Sequence, residues 1–250
     1  MRRKHSHHSQ GKTVALKKHS DMRMETRRLE NGRGGTVSAV IAYPDGYIAG
    51  RVPGVILAHG AGNDMTNPLL VAVHAGLAWH GYLSITFNFP YTEQGRRAPD
   101  PVPVLEACYR SIVAAVRADE TLRPSRLVIG GKSLGGRIAS QLAAQGEAID
   151  GVLLLGYPLH PPGNPEKLRV EHLTRITVPM LFFAGTRDPL CTLELLRQTL
   201  KKLVVPVTVH VIAEGDHSFV MPKRTGRTQE DGYEEIITAS STWIRQNLHG

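Results

Sequence analysis

Arg126-Leu127-Val128-Ile129-Gly130-Gly131-Lys132-Ser133-Leu134-Gly135-Gly136-Arg137 is the stretch that decides the fold. Residues 126–130 read as an apolar strand, and a helix of small residues is expected over Arg137 to Gln145. Between them, Gly131-Lys132-Ser133-Leu134-Gly135 fits G-x-S-x-G, a strand-to-helix turn sharp enough to project a nucleophilic serine from its apex. Chemistry accounts for each position. Gly131 and Gly135 remove side chains that would collide across the turn, and Gly136 lets the helix pack closely. The helix N-terminus beneath Ser133 favours negative charge developing there. A phosphate-binding loop competes, because Gly131-Lys132-Ser133 resembles the end of G-x-x-x-x-G-K-[ST]. It fails on spacing, since residues 126–129 are Arg-Leu-Val-Ile and supply no first glycine.

Outward from this turn, strand-like and helix-like segments alternate, which predicts an α/β fold with a largely parallel sheet. Thr26 to Leu29 and Thr36 to Ala42 flank Asn31-Gly32, a strong hairpin signal, and are expected to form an antiparallel edge. Further strands are expected at Val55 to Ala58, Leu83 to Phe87, Gly151 to Gly156, Met180 to Ala184 and Val207 to Ile212. Helices are expected from Pro68 to about His80, Val104 to Ala118, Leu193 to Leu203 and Tyr233 to Leu248. Residues 157–165 are rich in Pro and Gly and read as a loop. No linker divides the chain, and no insertion is long enough for a large lid.

The net charge of +8 invites a nucleic-acid partner, but its distribution argues against one. Residues 1–28 hold nine of the 30 Lys and Arg and two of the 22 acids, so the remainder carries a net charge of only +1. The expected organisation is a basic, disordered tail over residues 1–24 and a single domain over 25–250. That tail lacks the apolar core of a secretory signal. Its His5, His7 and His8 could hold a metal only loosely, and Met22 or Met24 is a candidate start. Two cysteines, Cys108 and Cys191, make neither a disulfide framework nor a zinc motif, which fits a reducing, cytoplasmic setting. No apolar run approaches the ~20 residues of a membrane span. No cofactor or metal is implied, and no nucleic-acid or membrane partner. A monomer or homodimer is expected.

A serine nucleophile needs a base, and the base needs an orienting acid. On folds with a nucleophile turn of this kind the chain order is Ser, then Asp or Glu, then His. Asp188 follows the strand Met180 to Ala184, and His217 follows the last strand, both at strand C-termini where Ser133 also sits. Asp216 adjoins His217 and suits a loop-stabilising role. His160 lies in a Pro-rich loop, His210 inside a strand, and His74 and His80 on or at the end of a helix, where structural roles are the default. Acyl transfer also needs oxyanion donors. The Leu134 N–H is one. The loop His59-Gly60-Ala61-Gly62 supplies the other, from Ala61 or else Gly62; the alternative, an ordinary Gly-rich turn, would leave His59 unexplained.

Taken together, the 59–62 loop, the 130–137 turn, Ala184-Gly185-Thr186-Arg187-Asp188-Pro189 and Gly215-Asp216-His217-Ser218-Phe219 resemble small α/β hydrolases related to dienelactone hydrolases. That group includes testis-expressed-thirty-like proteins and the hydrolase-like domain of an NSL acetyltransferase subunit. The resemblance spans about residues 25–248. It implies the α/β-hydrolase fold, with about eight strands, helices on both faces and a triad of Ser133, Asp188 and His217. Dienelactone hydrolase itself uses cysteine, so Ser133 turns the expectation toward small-molecule carboxylic esters or thioesters (EC 3.1). Phe89, Tyr91, Tyr157 and Leu159 are candidate substrate-lining residues, and Arg96 and Arg97 could attract an anion. Arg137 reads as structural. The alternative reading is a non-catalytic interaction module that keeps the fold.

Overall fold

The computed structural model describes residues 22–248, so the tail over 1–21 lies outside the described residues. Eight strands form one sheet: β1 Met24–Glu30, β2 Thr36–Ala42, β3 Gly54–Ala58, β4 Leu83–Phe87, β5 Leu127–Lys132, β6 Gly151–Leu155, β7 Met180–Gly185 and β8 Val207–Ile212. Their order is β1-β2-β4-β3-β5-β6-β7-β8. The β1–β2 and β2–β4 pairs are antiparallel and every other pair is parallel. The helices are α1 Pro68–Trp79, α2 Pro90–Glu93, α3 Val102–Ala118, α4 Leu134–Ala144, α5 Leu193–Leu200 and α6 Gln229–Leu248.

The central strands β3 to β7 are buried on both faces, as their near-continuous apolar sequences require. Alternation along them splits the core into two layers. Ile56, Ile129 and Leu154 join α3 and α4 through Leu105, Ile112, Ile138 and Leu142. Val55, Val128 and Leu153 join α1 and α6 through Leu70, Val73, Ile236 and Trp243. The chain leaves β3 toward β4 and returns to β5 on β3's other side. The crevice between the C-terminal ends of β3 and β5 is therefore the switch point at which open α/β sheets place their sites.

Boundaries differ from expectation for identifiable reasons. Helix α4 begins at Leu134 rather than Arg137, and β5 runs on to Lys132, so Ser133 alone makes the turn. Two glycines are poor helix formers, but packing requires them here. A Cβ on Gly135 would lie 2.3 Å from the Ala58 carbonyl oxygen, and one on Gly136 would lie 2.7 Å from that of Gly131. Helix α6 starts four residues earlier than expected because Thr228 and Asp231 cap it reciprocally: the Thr228 N–H donates to Asp231 Oδ2 and the Asp231 N–H to Thr228 Oγ1. Helix α5 stops at Leu200, short of Leu203, and α2 is a single turn that hydrophobic periodicity does not reveal.

The contact at Gly135 yields a prediction. Gly→Ala inside a helix ordinarily stabilises by up to about 1 kcal/mol. Gly135→Ala reverses that sign, because its methyl group meets fixed backbone on β3. A loss of about 3 kcal/mol is expected in urea unfolding, and an unchanged or raised midpoint would show that β3 can yield.

Candidate active site

Ser133 occupies a strained conformation, φ 50° and ψ −109°, which few non-glycine residues adopt. Neighbouring strands hold it there. Its N–H donates to the Leu155 carbonyl at 3.0 Å, and its own carbonyl accepts the Arg137 N–H at 3.0 Å. A Cβ on Gly131 would fall 2.2 Å from the Ala58 oxygen. The strain thus comes from β3, β5 and β6 together.

The structure brings Ser133, His217 and Asp188 into one hydrogen-bonded chain. His217 Nδ1–H donates to Asp188 Oδ2 at 2.8 Å, and Ser133 Oγ–H donates to His217 Nε2 at 2.9 Å. Asp188 accepts a further bond from the Leu190 N–H at 2.8 Å, and its carboxylate is fully buried. Asp216 does not join the chain. Its Oδ1 accepts the Ser218 and Val220 N–H groups at 2.8 and 2.9 Å and shapes the loop that carries His217.

The loops bearing Asp188 and His217 are fastened to each other. The Arg187 N–H donates to the Gly215 carbonyl at 2.9 Å and the Glu214 N–H to Thr186 Oγ1 at 2.8 Å. A Cβ on Gly185 would lie 2.2 Å from the Gly215 oxygen, so this approach needs glycine. Sequence reasoning missed the fastening, although Gly185 and Gly215 are its visible trace.

Ala61 lines the same cavity as Ser133, while Gly62 sits one residue outward in an adjoining hollow. The Leu134 N–H, at the first position of α4, has no intrahelical acceptor. His59 now has a role. It is buried, its Nε2 accepts the Phe89 N–H at 3.0 Å, and its Nδ1–H donates to the Gly60 carbonyl at 2.9 Å. Burial holds its pKa below the usual histidine range, so the neutral ring serves as a strut behind the 60–62 loop.

Phe89, Tyr91, Tyr157 and Leu159 do not line the cavity. All four are buried in the core. Phe89 and Tyr91 pack on His59 edge-to-face, and the Tyr157 hydroxyl donates to the Arg169 carbonyl at 2.7 Å. Loops leaving strand ends can fold back inward, and here they do. The cavity, of about 480 Å³, is lined instead by Asn63, Asn67, Leu69, Leu190, Val220 and Tyr233, together with Lys132 and Gln229. A larger hollow of about 610 Å³ between β8 and α6 holds neither Ser133 nor His217. Arg96 is bound to Gln94 and Asp100 on an exposed loop. His210 bonds Glu235 and His74 bonds Ser84, as structural residues. Both cysteines are buried, and burial pushes their thiols up to about 12, leaving no thiolate at neutral pH.

Among the described residues no group of three or more His, Cys, Asp or Glu could hold a metal ion, and no helix is long and apolar enough to cross a membrane.

An eight-stranded, mostly parallel sheet with a serine turn at its switch point defines a small hydrolase fold, with no separate lid among the described residues. The family model described as "Alpha/beta hydrolase domain" matches residues 51–245, and the chain belongs to that family. The fold is similar to that of a dienelactone hydrolase from Anabaena variabilis (17% identity, TM-score 0.72, 91% of this chain and 99% of that one). It is also similar to Est1E from Butyrivibrio proteoclasticus, solved with ferulic acid (15% identity, TM-score 0.73, 89% and 99%). A third similar structure is an α/β serine hydrolase without lid from Xanthomonas campestris (17% identity, TM-score 0.68, 88% and 94%). The protein is thus a small member of the α/β-hydrolase family whose fold is like that of a dienelactone hydrolase.

Proposed function

We propose that this hydrolase cleaves carboxylic esters or thioesters through an acyl-enzyme on Ser133. The observation that carries the reading is the unbroken chain from Ser133 Oγ through His217 to Asp188, opening on a cavity. In the first step Ser133 Oγ attacks the substrate carbonyl while His217 Nε2 takes its proton. The oxyanion meets the N–H groups of Leu134 and Ala61. His217 then returns the proton to the departing alcohol or thiol as the acyl–oxygen or acyl–sulfur bond breaks. Water, deprotonated by the same nitrogen, attacks the acyl-enzyme, and the acid leaves with Ser133 restored. Asp188 holds the Nδ1–H tautomer and balances the imidazolium charge throughout.

Leu134 belongs to a turn that packing fixes, and the buried His59 braces the loop that carries Ala61, so the donors need little reorganisation when charge develops. Similarity in fold to proteins described as an esterase and as a serine hydrolase supports the same chemistry. Rapid mixing with excess p-nitrophenyl butyrate should give a burst of nitrophenolate, about one equivalent per protein, if deacylation is the slower step. Mass spectrometry of the quenched sample should then find the butyryl group on Ser133. Turnover with the butyryl group on any other residue would overturn the assignment.

A further inference from the structure

Lys132 is unaccounted for by the steps above. It ends β5 directly before the nucleophile, only 7% of it is exposed, and it lines the cavity that holds Ser133 and His217. Its ammonium lies where Gly156 leaves room. A Cβ on Gly156 would be 3.1 Å from Lys132 Nζ and 3.6 Å from His217 Cε1, so the amine and the imidazole both lie against Gly156. The Phe219 ring lies beneath the ammonium, its centroid 6.0 Å from Nζ.

The acids that act on this amine, Asp188 and Asp216, do so only through space. Neither forms an ion pair with it: both Asp188 oxygens are taken, by His217 and the Leu190 N–H, and Asp216 spends its Oδ1 on the Ser218 and Val220 N–H groups. Among the described residues no Asp or Glu lines the cavity, whose other titratable groups are His217 and Tyr233. A buried charge without a partner is unfavourable, and an arriving anion relieves that cost.

We infer that Lys132 is an anion subsite, and that the enzyme acts on esters carrying a carboxylate close to the scissile bond. This rests on the hydrolase reading above and narrows its substrate class. The carboxylate could belong to the acyl half, as in a half-ester of a dicarboxylic acid, or to the alcohol half. Burial lowers the amine to about 8, so it is mostly charged at pH 7 and neutral at pH 9, while the substrate carboxylate stays ionised across that range.

The test compares kcat/KM for charged and neutral partners of matched shape. The acyl arm sets mono-p-nitrophenyl succinate, glutarate and adipate against p-nitrophenyl butyrate, pentanoate and hexanoate. The alcohol arm sets 4-(butanoyloxy)benzoate against its methyl ester. In one arm the wild type should favour the anion about tenfold at pH 7, the worth of one charge-assisted hydrogen bond. That preference should fade by pH 9 and vanish in Lys132→Met. Turnover of the neutral esters with no anion preference in either arm would overturn the inference and leave the serine-hydrolase reading standing. A preference that persists in Lys132→Met would remove Lys132 from the role. Should Lys132→Met fail to fold, the wild-type pH dependence decides: a preference unchanged from pH 7 to 9 counts against Lys132. Neither turnover nor fluorophosphonate labelling of the wild type would sink the underlying reading, and the inference with it.

Discussion

Ser133→Ala and His217→Ala each lower kcat on p-nitrophenyl esters by about 10⁶-fold, and the double variant is no worse than either alone. The magnitude follows from the way the two groups act as a unit. Without His217 Nε2 the Ser133 hydroxyl has no acceptor for its proton, and without Ser133 the imidazole has nothing to activate. The oxyanion donors on Leu134 and Ala61 remain, so a residual rate above the uncatalysed reaction persists. Steady-state kinetics with purified variants checks this, with chromatography to exclude trace wild type. Independent, multiplying losses would mean that the residues do not share one step.

The second large effect belongs to Asp188→Asn, expected to cut kcat about 10⁴-fold while the fold survives. The amide oxygen can still accept the Leu190 N–H that Asp188 now holds. Its NH₂ group, turned toward His217, donates where the carboxylate accepted. That moves the ring proton to Nε2, which then cannot receive the proton of Ser133. Thermal unfolding close to wild type together with the rate loss is the expected pair of results. Undiminished turnover would shift the acid's role to another residue. Asp216 is poorly placed to take it, because its Oδ1 organises the backbone of the 216–220 loop.

Much of this was legible in the sequence because local geometry constrains residue choice. The run 130–136 cannot be built with larger side chains: Cβ atoms on Gly130, Gly131 and Gly135 would fall 1.9, 2.2 and 2.3 Å from backbone oxygens of β6 and β3. Such constraints leave a motif. Fully apolar strands in a parallel sheet leave an equally plain trace, as at Gly151–Leu155. The cavity wall was not legible, because it depends on which way loops fold after leaving the strands. Phe89 and Tyr91 follow β4 and were candidates either to line the pocket or to serve as ordinary packing; the strut at His59 draws them into the core. The residues that do line the cavity come from the 60–69 segment, the loops after β7 and β8 and the start of α6, which no local pattern unites. Lys132 was visible as a neighbour of the nucleophile, but its lack of an acidic partner emerges only from the packed structure.

Ser133, as the activated nucleophile, is the residue on which the proposed chemistry turns. Wild type and Ser133→Ala should be incubated with a fluorophosphonate at neutral pH and their intact masses measured, followed by peptide mapping of any adduct. One phosphonyl group on the wild type, mapped to Ser133, and none on Ser133→Ala is the predicted result. Labelling of equal extent on Ser133→Ala, or a correctly folded wild type that takes up no phosphonate, would contradict it.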